Sequence, residues 1–325
     1  MPCRIVDIGF PRTPIRKAED LLASLRQSVE RACAEGKAAL ALSGGIDSAI
    51  LAKLMPPGSK AFTFHCVVPG KDVIDETAQA RKWADICGLE QEIIDIRWED
   101  IEGSVDRLMR HKGAPIHSIE AQIYLAASRA KEQGFDTLIF GENADIIYGG
   151  MDGLLKKDWL FGEFADRYSY VSPYHALRDP VMILEPFREF ETDGHIDAHA
   201  FINRYFRQEA LGTYHNACET AGIRFAGPYS ETTMDIPLDL QRIRSGDTKY
   251  LVREVFRLLY PGESMPAKIP MPRPVNEWFA DWPGPKRPEF FPHCTDDMSG
   301  DQRWMIWALE RFLNLLETDG KDKTE

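Results

Sequence analysis

Ser43-Gly44-Gly45-Ile46-Asp47-Ser48 is a string whose residue types could do chemistry together. It follows a short apolar run, Lys37-Ala38-Ala39-Leu40-Ala41-Leu42, and leads into Ser48-Ala49-Ile50-Leu51-Ala52-Lys53-Leu54, so it reads as a glycine turn between a strand and a helix. Such a turn aims bare backbone N–H groups and a helix dipole at an anion, and its glycines let a phosphate come close. Hydroxyls of Ser43 and Ser48 add donors for phosphate oxygens, while Asp47 beside a polyphosphate makes sense with magnesium between them. A plain turn with serine and aspartate capping the helix is the competing reading; the complete string in this setting weighs against it. The GxxxxGK[ST] spacing of a Walker loop and its lysine are absent. A second polar segment, Gly141-Glu142-Asn143-Ala144-Asp145-Ile146-Ile147-Tyr148-Gly149-Gly150, also follows an apolar run. From there Asp145 could share the magnesium with Asp47, and Glu142 could act as a base or orient a nucleophile.

The first string resembles the pyrophosphate loop of the ATP pyrophosphatase (PP-loop) superfamily, whose members cleave ATP between its α and β phosphates. The second resembles the GEGSDExFGG segment of asparagine synthetases and β-lactam synthetases. A third, Ser245-Gly246-Asp247-Thr248-Lys249-Tyr250-Leu251-Val252-Arg253-Glu254-Val255-Phe256, resembles the GKxxKxxLRxxF helix of the same enzymes and puts Lys249 at the family's catalytic lysine. Lys268 matches a family lysine more loosely. The resemblance runs over residues 38–276. It implies ATP and Mg2+ as cofactors, and nucleotide binding by Ala41, Leu42, Ser43, Gly44, Gly45, Asp47, Ser48, Cys66 and Gly141. Lys249, Glu142 and Lys268 would be catalytic, and Asp47 and Asp145 would hold the metal. A cation at Lys249 would stabilise charge on the α-phosphate and on a collapsing tetrahedral intermediate.

The chain also departs from that pattern. Asparagine synthetases carry an N-terminal glutaminase whose cysteine becomes residue one, whereas Cys3 here lies behind Pro2 and little sequence precedes Ser43. The expectation is a synthetase without that domain, drawing nitrogen from ammonia, from a separate ammonia-supplying subunit or from an amine on the substrate. Where asparagine synthetases show a threonine- and arginine-bearing segment that grips aspartate, Pro115-Ile116-His117-Ser118-Ile119-Glu120-Ala121-Gln122 has no arginine, which disfavours aspartate. Asn143, Ala144 and Ile146 replace the glycine, serine and second acid of the GEGSDE segment.

The elements that must position these groups follow from periodicity. Residues 21–34 have helical spacing; strands are expected at 61–68, 91–96 and 137–140, with helices at 76–87 and 119–133. This alternation predicts an α/β fold, a doubly wound parallel sheet of the adenine nucleotide α-hydrolase-like kind, with its strand ends carrying the ligand. Beyond residue 150 helical spacing dominates, at 202–218, 250–259 and 302–316, and a proline-rich loop runs over 261–292. The organisation expected is an N-terminal strand and helix (1–36), a nucleotide-binding domain (37–150) and a mainly helical substrate-side region (151–325) whose last residues fray.

At 325 residues the chain can bury a full core. Its net charge of -12 opposes nucleic acid, and Lys156-Lys157 and Lys286-Arg287 are too short to make a basic patch. No apolar run reaches membrane-spanning length, and residues 1–10 read as a strand instead of an export signal, so a cytoplasmic setting is expected. Six scattered cysteines form no CxxC or zinc-spaced cluster and read as reduced. The reading is an ATP-dependent carbon–nitrogen ligase acting on a small molecule, with a homodimer allowed. A nucleotide-binding protein without turnover and a tRNA-modifying PP-loop enzyme are the alternatives.

Overall fold

The computed structural model describes residues 12–269 and 271–321, so the strand expected at 1–10 and Cys3 lie outside the described residues. Five parallel strands form the central sheet: β1 (Ala38–Ala41), β2 (Lys60–Cys66), β3 (Glu90–Ile96), β4 (Thr137–Ile139) and β5 (Arg224–Ala226). Their spatial order is β3-β2-β1-β4-β5.

Side chains alternate across the sheet, as the period of two requires. Leu40 of β1 packs in one core with Ala61 and Ile139, whereas its neighbour Ala39 packs in the other with Phe62 and Leu138. The first face is covered by α1 (Ala18–Ala34), α2 (Ile46–Leu54), α3 (Thr77–Cys87) and, from far down the chain, α7 (Tyr250–Leu259). The second is covered by α4 (Trp98–Lys112), α5 (Ser118–Glu132), α6 (Arg207–Ala221) and α8 (Gly300–Lys321). Both faces being buried there, the inner strands β1, β2 and β4 read as short, mostly apolar runs instead of alternating ones.

Two features differ from the expectation. The sheet takes its fifth strand from Arg224–Ala226, paired through Thr137↔Arg224, beyond the 37–150 segment meant to carry the sheet. Three residues, one of them an exposed arginine, give no periodic signal. The helix expected over 202–218 is also not uniform: Ile202–Phe206 is a π-turn, and the regular α6 begins only at Arg207. The described residues among 261–292 are irregular apart from the helical turn Val275–Trp278 and a bridge from Phe290 to Leu177. No helix among the described residues is long and apolar enough to cross a membrane.

Candidate active site

After β1 the chain winds outward to β2 and β3; β4 then restarts on the other side of β1. The loops leaving β1 and β4 therefore diverge from a crevice at the strand ends, the ligand position of open α/β sheets. Here they touch. A Cβ on Gly141 would lie 3.1 Å from the Asp47 Cβ and 3.2 Å from the Ser48 amide nitrogen, so the missing side chain lets the second loop close on the first.

The phosphate loop is held from within and from behind. The Ser43 and Ser48 hydroxyls lie 2.8 Å apart; the Ser43 amide donates to Ser48 Oγ (3.1 Å) and the Gly45 amide to Ser43 Oγ (3.2 Å). Both serines, expected to face phosphate, thus also hold the turn in shape. From α3 and the residue before it, Trp83 donates to the Gly44 carbonyl (3.2 Å) and the Glu76 carboxyl accepts the Gly44 amide (3.0 Å). Trp83 is fully buried, edge-on to Phe256 and against Tyr260 of the α7 end, so the loop's rear support is continuous with the core. No side chain caps the N-terminus of α2, which leaves its first amides for an anion.

Lys249 enters between the two acids. Its Nζ lies 2.7 Å from Asp47 Oδ2 and 3.2 Å from Asp145 Oδ1, and the residue is 7% exposed. It precedes α7 in a left-handed conformation (φ 51°), a costly choice for a non-glycine residue and one concentrated at functional sites. Burial alone would lower the Lys249 pKa, but Asp47 and Asp145 more than offset it and keep the ammonium charged. Burial would likewise raise the Asp145 carboxyl; Lys249 and Lys268 outweigh it and hold Asp145 below the usual carboxylate range. Lys268 approaches from the proline-rich segment, donating to Asp145 Oδ1 (3.2 Å) and to the Gly150 carbonyl (2.9 Å).

A magnesium ion fits this arrangement. Asp47 Oδ1 is buried with no hydrogen-bond partner among the described residues, a free acceptor beside the ionised Asp145. No cluster of three or more His, Cys, Asp or Glu suited to a metal occurs among the described residues, so remaining ligands would have to come from substrate phosphate and water, as is usual for magnesium.

Glu142 lies on the cavity wall, where burial pushes its carboxyl up to about 7 against the hydrogen bond from Tyr214. Glu76 is raised to about 7 for the same reason. Glu76, Trp83 and Tyr214 escape sequence reading: each sits in an ordinary helical pattern, and only the folded chain turns it toward the loop.

The cavity measures about 250 Å³ and brings together Ala41, Leu42, Ser43, Gly45, Asp47, Ser48, Gly141, Glu142, Asp145, Lys249 and Lys268. Two expected nucleotide contacts are not in its lining. Gly44 has both its backbone groups engaged by Glu76 and Trp83. Cys66 is 1% exposed, with its Sγ on the Pro272 carbonyl and its thiol pushed by burial up to about 12.

Against known proteins, a family model described as asparagine synthase matches residues 20–226. No curated protein matches the chain significantly. Among solved structures, the chain is similar to the U34-tRNA thiolase NcsA from Methanococcus maripaludis with its [4Fe-4S] cluster, at 14% identity and a TM-score of 0.28, covering 76% of this chain and 81% of that one.

Proposed function

The chain belongs to the asparagine synthase family, and we propose that it uses ATP to adenylate a small-molecule carboxylate or carbonyl oxygen and then joins it to ammonia or an amine. Membership supports an ATP-using enzyme; the reaction is our reading of the site. The observation that carries it is the meeting of Asp47, Asp145 and Lys249 in one cleft, from two strand ends and the start of α7.

In this reading the substrate oxygen attacks the α-phosphorus of ATP and the bond to the β-phosphate breaks, releasing pyrophosphate. The α2 amides hold the departing phosphates, and the buried ammonium of Lys249 stabilises charge growing on the α-phosphate. Asp47, through its unpartnered Oδ1, and Asp145 would hold magnesium, which would supply positive charge for the phosphate oxygens. The amine then attacks the activated carbon, Glu142 accepts its proton, and AMP leaves; a carboxyl near 7 suits that role. Tyr214 orients Glu142 by hydrogen bonding. Incubation with ATP, magnesium, an acceptor acid and ammonia should release pyrophosphate and AMP, and Asp47→Ala should abolish both. Release of ADP would reject the reaction.

A further inference from the structure

A second, larger cavity of about 740 Å³ adjoins the first, and Lys268 lines both. Its walls come from Gly150–Leu154 just beyond Asp145, from residues 115–118 where the aspartate-gripping segment is altered, and from α8. Apolar groups dominate: Ile116, Tyr168, Phe206, Trp304, Met305 and Leu309. Met305 and Tyr170 remain 41% exposed inside it, apolar surface that a ligand would cover. Phe206 reaches it from the π-turn before α6, a distortion often found where a helix serves a site.

The charges in this cavity mostly satisfy one another. Arg273 pairs with Asp301 (2.8 Å), Lys112 with Glu120 (2.8 Å), and the Tyr168 hydroxyl donates to Glu209 (2.9 Å). His117 accepts the Ile119 amide and is held neutral by burial, near 4. Arg167 is exposed beside Gly153. At the inner end stands Lys268, 3.2 Å from Asp145 and 3.9 Å from Asp152, both partly exposed. A polar amino acid such as aspartate would leave most of this wall uncovered.

We propose that this cavity is the acceptor site and takes a carboxylic acid with a large apolar or aromatic body. The carboxylate lies at Lys268, facing the nucleotide cavity, and the body lies against Trp304, Met305 and Phe206. This deepens the adenylation reading and rests on it.

The test is magnesium- and ATP-dependent pyrophosphate release with decanoate, 3-phenylpropanoate and indole-3-acetate against aspartate and glutamate. Binding is followed separately by calorimetry with a non-hydrolysable ATP analogue. The apolar acids should bind and support release, with KM about tenfold or more below that of the polar acids. Trp304→Ala should raise KM for the apolar acid about tenfold with kcat little changed. Should that variant fail to fold, Met305→Glu, at a partly exposed position, should do the same by placing a like charge on the wall. Preference for aspartate or glutamate, or an unchanged KM in Met305→Glu, overturns the inference and leaves adenylation standing. Apolar acids that bind without any pyrophosphate release overturn adenylation and leave the cavity's ligand class standing. Neither binding nor release by any of the acids overturns both.

Discussion

Lys249 Nζ rests 2.7 Å from Asp47 Oδ2, across 202 residues of sequence. The lysine precedes α7 and the aspartate lies in α2, and the two helices pack on the same sheet face. That packing decides where the charge sits, and several consequences can be measured.

Lys249→Ala should lower turnover by about 10²- to 10³-fold, the usual cost of removing one group that stabilises transition-state charge. Pyrophosphate release at saturating ATP measures it. A loss below about tenfold would make Lys249 a structural partner of Asp47 only.

Trp83→Ala should cost about 3–5 kcal/mol of stability in urea unfolding, because a fully buried ring against Phe256 and Tyr260 is lost. Trp83→Phe keeps much of the packing but removes the donor to the Gly44 carbonyl. Its stability should fall by only about 1 kcal/mol while nucleotide affinity weakens.

Glu142 and Glu76 predict a pH dependence. Both native carboxyls are raised to about 7 from an ordinary 4.5, so between those values the folded chain binds more protons than the unfolded chain. Stability therefore falls as pH rises from about 4.5 through 7, and the contribution is fully present only below that window. Glu76→Gln should flatten part of this slope in denaturant titrations from pH 5 to 8. Turnover should rise with pH through about 7 as Glu142 loses its proton, and that limb should vanish in Glu142→Gln.

Gly150→Ala should damage the site more than the fold. An added Cβ would fall 1.9 Å from Asp145 Oδ1 and 2.8 Å from its Cα, so the carboxylate must move. Magnesium-dependent binding of a non-hydrolysable ATP analogue should weaken about tenfold or more, with a smaller change in the unfolding midpoint. Unaltered binding would mean that Asp145 is not a metal ligand.

Local pattern was enough to read β1 to β4, α1 to α3, α5 and α7, because each is a short apolar run or a helical repeat bounded by glycine or a turn. The α/β class followed from their alternation. Arg224–Ala226 was illegible, because an exposed arginine, one phenylalanine and an alanine make no apolar run, and so was the π-turn at Ile202–Phe206. α4 formed where no helix was expected, although Ile101, Val105, Leu108 and Met109 carry helical spacing.

The sequence by itself determined which groups were available: a glycine turn at the end of an apolar run, acids at Asp47, Glu142 and Asp145, and lysines at Lys249 and Lys268. Tertiary structure alone decided that Lys249 lies between the two aspartates, that Glu76 and Trp83 clamp Gly44, that Cys66 is buried against Pro272 outside the cavity, and that a wide apolar cavity opens beside Lys268. The physical reason is that backbone propensity and side-chain period act over a few residues, whereas these contacts depend on strand order and helix packing, which bring together segments from 32 to 206 residues apart only when the whole core is buried.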